Sequence, residues 1–324
     1  VGVLLVALLA LAAAAAAVLY VKGREAFVAP GPSTSETTVV VPKGAGVERI
    51  ATLLHDAGVI ADPLIFRFGV RISGAQTALK AGEYAFPASA SAEDAMTLLM
   101  SGKVVQHQLT IPEGWTVKQA LAAIAAAPSL AGDAPSGVDE GALLPETYAY
   151  ILGDTRAQVV ARMKAAMDRL LADAWAKRAE NLPFKSPKEA LILASIVERE
   201  TGIASERPRV AAVFVNRLRL GMKLQSDPTV IYGLSDGAGV LDRGLTRHDL
   251  ETEHPYNTYV IAALPPAPIA LPGAEAIRAT LNPADTKDLY FVADGTGGHV
   301  FSKSLEEHNR NVAKWRAFER SQKK

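Results

Sequence analysis

The first 21 residues form one uninterrupted apolar segment, VGVLLVALLALAAAAAAVLYV. As an α-helix it extends about 31 Å, which matches the roughly 30 Å hydrocarbon core of a bilayer. A cleaved signal peptide is the alternative, because the alanine run contains A-x-A cleavage sites, but its apolar region is usually only about 7–15 residues long. We therefore predict a retained transmembrane anchor over residues 1–21.

The charges beside this segment bear on its orientation. Lys22 and Arg24 follow it directly, and the tendency of basic residues to remain inside would place the bulk of the chain in the cytoplasm. The sequence starts at Val1 rather than at Met, so a basic leader that reverses this preference can precede it. The two charges leave the orientation open.

Composition excludes several classes of function. The 324 residues contain 34 Lys+Arg and 34 Asp+Glu, so the chain lacks the basic excess that binding to nucleic acid requires. It has no cysteine, which excludes disulfides, thiol catalysis and Cys-ligated zinc. The six histidines show no metal-ligand spacing. We predict no metal and no cofactor.

The rest of the chain divides into a linker, a small region and a larger one. Residues 22–36 contain Pro30 and Pro32 and are expected to form a linker. Residues 37–111 alternate short strands with helices, and residues 112–324 are richer in helices. This pattern predicts the α+β class. The expected strands cover residues 37–42, 79–86, 104–111, 289–293 and 299–301, and the main expected helices cover 47–57, 63–74, 91–100, 113–127, 157–178 and 207–220. Residues 131–140 are expected to be a loop and residues 140–150 an irregular hinge.

Two short motifs suggest chemistry that their surroundings do not favour. Residues 233–237 match the G-x-S-x-G pattern of serine hydrolases, which needs a strand before the serine. A helix precedes this serine instead, so we expect a loop. The glycines of residues 295–298 could suggest a phosphate loop, but strand-like runs on both sides favour a hairpin turn.

Glu198 is the strongest candidate for acid–base chemistry. A helix is predicted to begin at Ser186-Pro187, where the S-x-x-E pattern indicates a capping box, and residues 190–197 are apolar except for Ser195. Glu198 follows on the face that carries Leu191, Ala194 and Ser195. Burial and the negative end of the helix dipole should both raise its pKa, as protonation of a glycosidic oxygen requires. The alternative for Glu198 is that it only marks the point where the helix reaches solvent, which is what we expect of Glu200.

Two clusters of polar and aromatic residues could line a sugar-binding cleft. The first contains Gln225, Asp227, Thr229 and Tyr232, and the second contains Tyr256 and Asn257. Amide, hydroxyl and aromatic groups together are suited to a sugar ring. Asp227 precedes Pro228, so it is also expected to be the N-cap of a helix.

Several longer motifs carry a family resemblance. ASIVERET (194–201), VFVNRLRLGMKLQSDPTVIYGL (213–234), YNTY (256–259), LPPAPIALPG (264–273) and YFVADGTGGHVFS (290–302) resemble the endolytic murein transglycosylase family, MltG or YceG-like. VPKGAGVERIATLL (41–54), LKAGEYAF (79–86) and TIPEGWT (110–116) extend the resemblance towards the anchor. Ala267 and Glu146 depart from the residues expected of the family.

The resemblance implies a bacterial inner-membrane protein with one N-terminal anchor and an extracytoplasmic body, which overrides the hint from Lys22 and Arg24. It implies a LysM-like subdomain over residues 37–111 and a catalytic domain over residues 112–324. The implied substrate is the glycan strand of peptidoglycan, and peptidoglycan synthases or the division machinery are the implied partners. The catalytic glutamate of the family falls on Glu198.

The implied reaction is non-hydrolytic cleavage between N-acetylmuramic acid and N-acetylglucosamine, which leaves a 1,6-anhydro end and terminates the strand. Glu198 would act first as acid and then as base. Two alternatives remain. A hydrolytic muramidase would use Glu198 as acid and Glu200 or Asp227 to activate water. A membrane-tethered scaffold would bind peptidoglycan through residues 37–111.

Overall fold

The computed structural model of the chain describes residues 2–322 and has a mixed α+β architecture, as predicted. Val1, which belongs to the predicted anchor, and Lys323 and Lys324, at the end of the predicted catalytic domain, lie outside the described residues. The chain divides into two compact units. The first contains residues up to His107 and Ala149–Gly153, and the second contains Gln108–Tyr148 and residues from Asp154 onwards.

The predicted anchor corresponds to helix α1, Gly2–Val28. Its 27 residues extend about 40 Å, and its apolar side chains are exposed over almost the whole length. Within residues 2–322 it is the one helix that combines the length and the apolar composition needed to cross a bilayer. A helix that is apolar all round and uncovered by protein fits a membrane span.

The helix continues into the region predicted as a linker. Residues 22–28 are helical, and only the segment after Val28 is extended or irregular. The cause is Phe27, which is 4% exposed and packs in the core of the first unit. The Phe27 ring occupies the space that a Cβ of Gly69 would fill. Because Gly69 has no side chain, α1 and the helix that contains Gly69, Pro63–Ile72, can approach closely.

The first unit is built on one antiparallel pair of strands. Strand β1, Thr37–Val41, pairs with β2, Gly82–Phe86, and places Val39 opposite Tyr84. Buried residues alternate along both strands, because one face of the pair packs on the core and the other does not. Helices α2 (Val47–Asp56), α3 (Pro63–Ile72) and α4 (Ala92–Ser101) supply the rest of this core. Asp62 caps α3 as its position before Pro63 predicts, with its Oδ1 accepting from the Leu64 N–H at 2.7 Å.

The remaining elements are mostly helical. In chain order they are β3 (His107–Thr110), α5 (Val117–Ala126), β4 (Thr147–Tyr150), α6 (Arg156–Ala176), α7 (Pro187–Glu200), α8 (Arg207–Arg219), α9 (Asp227–Leu234), α10 (Arg247–Glu251), α11 (Ala274–Leu281), β5 (Tyr290–Ala293), β6 (His299–Ser302) and α12 (Leu305–Gln322). Helices α7, α8 and α11 pack together and provide most of the core of the second unit. The predicted hairpin turn lies between β5 and β6.

Several local predictions differ from the structure. The strands expected over residues 79–86 and 104–111 cover only Gly82–Phe86 and His107–Thr110. The helix expected over residues 113–127 begins only at Val117, because Gly114 adopts a φ of +76° and Thr116 is the N-cap. Residues 147–150 of the expected irregular hinge form strand β4. The N-cap of α9 is Ser226 rather than Asp227, which already lies in the first turn. Ser235 follows the end of α9, as expected for a loop rather than a nucleophile elbow.

The close approach of α1 and α3 gives a direct test. Gly69→Ala should destabilise the first unit by about 1–3 kcal/mol, because the new methyl group overlaps the Phe27 ring. Gly23→Ala is the matched control: it also lies in a helix, and its nearest neighbours are 4.0 Å away. That change should leave the free energy of unfolding unaltered or raise it slightly. Equal effects of the two changes in chemical denaturation would contradict the packing described here.

Candidate active site

Helix α7 carries the central residue of the site at its C-terminal end. Ser186 caps the helix by accepting from the Glu189 N–H, and Pro187 occupies the first helical position. The predicted capping box is incomplete, because the Glu189 carboxylate accepts from the Lys185 N–H instead of returning to Ser186. All eight residues of Ala190–Val197 are buried, and Glu198 follows them.

Two hydrogen bonds join this helix to the segment that precedes α11. The Ser195 hydroxyl donates to the Ile192 carbonyl at 2.7 Å and accepts from the Ile269 N–H at 3.0 Å. Three residues later, the Glu198 Oε2 accepts from the Gly273 N–H at 2.9 Å. Both bonds come from the helix face that the sequence pattern identified. They fix residues 269–273 against the end of α7.

A second carboxylate and an arginine lie beside Glu198. The Arg207 Nη2 is 3.6 Å from the Glu198 Oε1 and 3.6 Å from the Glu113 Oε2. The Glu198 side chain is 6% exposed, whereas that of Glu113 is 44% exposed. A Cβ at residue 273 would overlap the Glu113 carboxylate, so a side chain there would displace Glu113 from this point.

The surroundings of Glu198 raise its pKa. Burial is the largest cause, because it penalises the charged form, and the negative charge of Glu113 acts in the same direction. The Gly273 N–H and the guanidinium groups of Arg207 and Arg199 act in the opposite direction. The net shift is upward. This direction agrees with the expected effect of burial, while the charge of Glu113, rather than the expected helix dipole, is the second cause that raises the pKa.

Glu113 reaches this point through the turn that the sequence analysis placed in a helix. The Gly114 N–H donates to the Leu271 carbonyl at 2.9 Å, and the Leu271 N–H donates to the Trp115 carbonyl at 2.6 Å. Arg199 extends from α7 to the Gly114 carbonyl at 3.1 Å and the Gly239 carbonyl at 3.3 Å. Glu113 was missed for this reason; Pro112 and Gly114 were the available signs of a turn.

A third carboxyl group, Glu140, lies with two of the predicted sugar-binding residues. Its Oε1 accepts from the Val117 N–H at 2.9 Å, and its Oε2 accepts from the Tyr232 hydroxyl at 3.2 Å. The Tyr232 and Tyr256 rings are 4.9 Å apart. Burial raises the pKa of Glu140 to about 7. Glu140 was missed because it lies in a loop whose sequence pattern gives no sign of burial.

Gln225 and Asp227 line a cavity of about 470 Å³. Its described lining includes Glu200, Tyr259 and His308, and Glu198 is not among those residues. The Asp227 Oδ1 accepts from the Tyr259 hydroxyl at 2.6 Å. The structure therefore separates these two candidates from the tyrosines that contact Glu140 or each other.

Thr229 and Asn257 are buried, at 0% and 1% exposure. The Thr229 hydroxyl donates to the Ser226 carbonyl at 2.7 Å and lies 2.9 Å from the Thr258 hydroxyl. The Asn257 side-chain amide donates to three backbone carbonyls, those of Asp249, Leu250 and Thr252. In this structure the polar groups of both residues stabilise the surrounding loops rather than face a cleft.

Glu200 is half-buried rather than freely exposed to solvent as expected. Its carboxylate accepts a hydrogen bond from the Ser226 hydroxyl at the start of α9. Burial raises its pKa to about 7 despite this bond. The reason is the long-range packing of α9 against α7, which the sequence of α7 alone does not contain. Across residues 2–322, no group of three or more His, Asp or Glu side chains is arranged to hold a metal ion.

Comparison with known proteins adds sequence and fold relationships. The model of the YceG-like family matches residues 39–314. An endolytic murein transglycosylase of Bacillus subtilis (strain 168) is 32% identical over 320 residues, which cover 88% of this chain and 87% of that protein. An endolytic murein transglycosylase of Streptococcus pneumoniae (strain D39) is also 32% identical, over 87% of this chain. The chain spans only 58% of the length of that relative.

A solved structure supports the fold relationship. The crystal structure of a yceG-like protein from Listeria monocytogenes superposes with a TM-score of 0.53 at 32% sequence identity. The match covers 86% of this chain and 99% of the other.

The charges beside Glu198 predict opposite effects of two substitutions on its pKa. Glu113→Gln removes a neighbouring negative charge and should lower the pKa of Glu198, whereas Arg207→Gln removes a positive charge and should raise it. Carboxyl ¹³C shifts of glutamate-labelled protein, assigned with Glu198→Gln, measure both changes. Glu251→Gln, on the exposed surface of α10, is the control and should leave this pKa unchanged. Shifts of the same sign in both variants would contradict the arrangement.

The burial of Glu200 predicts a pH dependence of stability. Because its pKa is raised in the folded state, its protonated form stabilises the fold at low pH, and this contribution is lost as pH rises through about 7. Between pH 5 and 8, the free energy of unfolding of the wild type should fall by roughly 2–3 kcal/mol more than that of Glu200→Gln. Urea unfolding at the two pH values measures this difference. Glu306→Gln, whose side chain is 84% exposed in the wild type, should retain the wild-type pH dependence.

Proposed function

The chain belongs to the YceG-like family, and on that premise we propose that it is a lytic transglycosylase that cleaves the glycan strands of peptidoglycan. The observation that carries this proposal is the position of Glu198. Its carboxyl group lies at the end of a buried helix with its pKa raised, next to an arginine that can balance its charge once it ionises. The names of the relatives agree with this chemistry.

The proposed reaction uses Glu198 twice. Its carboxyl proton passes to the oxygen that links N-acetylmuramic acid to N-acetylglucosamine, and the bond between that oxygen and the anomeric carbon breaks. The carboxylate then takes the proton of the muramyl C6 hydroxyl, whose oxygen bonds to the anomeric carbon. The products are a 1,6-anhydro end and a free hydroxyl on the leaving sugar. No water is consumed, and Glu198 ends in its protonated form.

The neighbours of Glu198 suit both steps. Burial favours the acid that the first step needs, and the Gly273 N–H and Arg207 stabilise the carboxylate that the second step needs. Glu113 shares Arg207 with Glu198 and so limits how strongly the guanidinium holds the carboxylate. A pKa that is raised, but opposed by specific partners, allows one group to give and then accept a proton.

We propose that residues on both sides of α9 form the surfaces that contact the glycan. Tyr232 and Tyr256 offer an aromatic surface for a sugar ring, and the Tyr232 hydroxyl donates a hydrogen bond to Glu140. Gln225 and Asp227 would contact a more distant part of the substrate through the cavity that they line. Thr229 and Asn257 would stabilise the segments that carry these residues, because their polar groups form hydrogen bonds within the protein.

The cellular setting follows from the same premise. We place the protein in the bacterial inner membrane as a single-pass protein, with α1 as its anchor and its body outside the cytoplasm. Residues 29–36, the part of the predicted linker that follows α1, would connect the anchor to a LysM-like subdomain over residues 37–111, and residues 112–324 would form the catalytic domain. Its role would be the termination of nascent strands, with peptidoglycan synthases or the division machinery as partners.

The contacts of the carboxyl groups indicate which of them a hydrolytic mechanism would use as the base. Glu200 and Asp227 accept from Ser226 and Tyr259, respectively, and both line the cavity whose described lining does not include Glu198. Glu113 is the carboxylate that approaches Glu198, through the Arg207 nitrogen that both contact. A hydrolytic muramidase would use Glu113 as its base, and its products would have reducing ends.

Product analysis tests the proposal. Purified glycan strands are digested with the full chain in detergent, and the fragments are weighed by mass spectrometry. We expect internal fragments with 1,6-anhydro ends, and a rate at least about 100-fold lower for Glu198→Gln, because general acid–base catalysis contributes about 10²–10⁴-fold. Glu306→Gln is the matched control on an exposed helix surface and should have wild-type activity.

The other outcomes identify the alternatives. Reducing ends that disappear in Glu113→Gln would mean hydrolysis and would overturn the transglycosylase proposal. Intact strands that bind equally to the wild type and to Glu198→Gln would mean a scaffold. Anhydro ends that persist in Glu113→Gln, with only a changed pH profile, would support the mechanism with one acid.

A further inference from the structure

Helix α3 has an apolar face that the protein does not cover. Leu64, Phe68 and Ile72 lie at positions i, i+4 and i+8, so they form one stripe along the helix. They are 63%, 51% and 51% exposed. Single exposed apolar residues are common, but a continuous stripe of three large ones is typical of a surface that meets another apolar phase. We refer to these three residues as the α3 stripe.

The α3 stripe borders the end of the anchor helix. One groove between α1 and α3 is lined by Tyr20, Gly23, Phe68 and Ile72, among other residues, and a second is lined by Leu19, Gly23, Leu64 and Phe68. A Cβ at Gly23 would lie 4.0 Å from the Phe68 ring. The stripe is therefore next to residues 19–23 of α1.

The two helices are fixed to one another. Phe27 is buried in the core of the first unit against Gly69 of α3. One turn earlier on α1, Arg24 pairs with Glu93 of α4 at 3.0 Å. Because α1 is a continuous helix from Gly2 to Val28, the stripe and the apolar part of the anchor hold a constant separation.

The sequence of α1 indicates the depth at which residues 19–23 and the neighbouring α3 stripe would lie in a membrane. Its uninterrupted apolar run ends at Val21, and Lys22 and Arg24 follow. Tyr20, at the end of the run, is the amphipathic type of residue that is enriched at the boundary between hydrocarbon and headgroups. The stripe therefore lies beside the part of the anchor that leaves the hydrocarbon core.

Charge around the stripe decides which lipid property matters. Lys22, Arg24, Arg67 and Arg71 are the nearby cations, and Glu25, Glu48, Asp62 and Glu93 are the nearby anions, so the charges around the stripe balance. Three of the cations are paired with these carboxylates. Burial of apolar side chains, rather than attraction to anionic lipid, is the main contribution at this surface.

We propose that α3 is an interfacial helix, whose Leu64, Phe68 and Ile72 insert into the boundary between headgroups and acyl chains of the leaflet where α1 emerges. This inference rests on the proposed membrane anchoring and adds a second contact with the bilayer. It assigns a function to an exposed surface that the glycan-cleavage chemistry does not use.

The 324 residues contain no cysteine, so a single introduced cysteine is the only site of labelling. Single cysteines are introduced into the full chain at positions 64, 68 and 72, and at two reference positions. Position 20, in α1, reports on the anchor. Position 40, on β1, is a residue of the same unit that is 46% exposed in the wild type. Each variant is labelled with the fluorophore NBD and reconstituted into vesicles of phosphatidylcholine and phosphatidylglycerol that carry nitroxide-labelled lipids.

The proposal expects loss of most NBD fluorescence at positions 20, 64, 68 and 72, and retention of the fluorescence at position 40. The three stripe positions are exposed in the wild type, so their substitution leaves the core intact; circular dichroism of each variant checks the fold. Quenching at position 20 without quenching at the stripe would overturn the interfacial helix and leave the anchor standing. Absence of quenching at position 20 as well would overturn both.

Two further outcomes would overturn the proposal. Equal quenching at position 40 would mean that the whole unit collapses on the lipid without a preferred face. Blue-shifted NBD emission at the stripe without lipid quenching would mean that a protein surface, such as a second copy of the chain, covers it. None of these readings depends on glycan cleavage, so failure of the proposed enzymatic activity would be seen separately.

Discussion

The candidate site depends on the attachment of residues 269–273 to one face of α7. Ser195 binds the Ile269 N–H, and Glu198 binds the Gly273 N–H one turn later. Residues 269–273 also fix the turn that contains Glu113, because Leu271 forms backbone hydrogen bonds with Gly114 and Trp115. Glu198 therefore has two functions in the fold. It is the central ionisable group of the site, and it is also an acceptor that helps to hold the groups which determine its own pKa.

This arrangement resolves a conflict that any buried carboxyl group creates. Burial alone would favour the neutral acid so strongly that the group could not ionise, whereas full pairing with an arginine would favour the carboxylate. At Glu198, burial and Glu113 oppose the Gly273 N–H, Arg207 and Arg199. No single neighbour fixes the protonation state. A group that must donate a proton and then accept one needs such a balance, because either extreme would stop one of the two proposed steps.

What the sequence could predict was local. The start of α7 at Ser186-Pro187, the apolar run before Glu198 and the hairpin around residues 295–298 each depend on neighbours a few residues away, and each was predicted. Glu113, Glu140 and Glu200 were misjudged because their environments come from distant segments. Their partners Arg207, Tyr232 and Ser226 are separated from them by 94, 92 and 26 positions. For Thr229 and Asn257 the residue types suggested contact with a sugar, whereas both side chains are buried and form hydrogen bonds with the surrounding backbone.

Glycine shows most clearly why tertiary contacts escape a reading of local pattern. Gly273 and Gly46 both occupy helix N-caps with nearly the same backbone angles, φ −74° and −75°, so local conformation gives neither a special role. Space distinguishes them. A Cβ at Gly46 would meet nothing within 4 Å, whereas a Cβ at Gly273 would overlap the Glu113 carboxylate. Gly69 is needed in the same way for Phe27. In both places, the missing side chain matters because of a residue far along the chain that occupies the space.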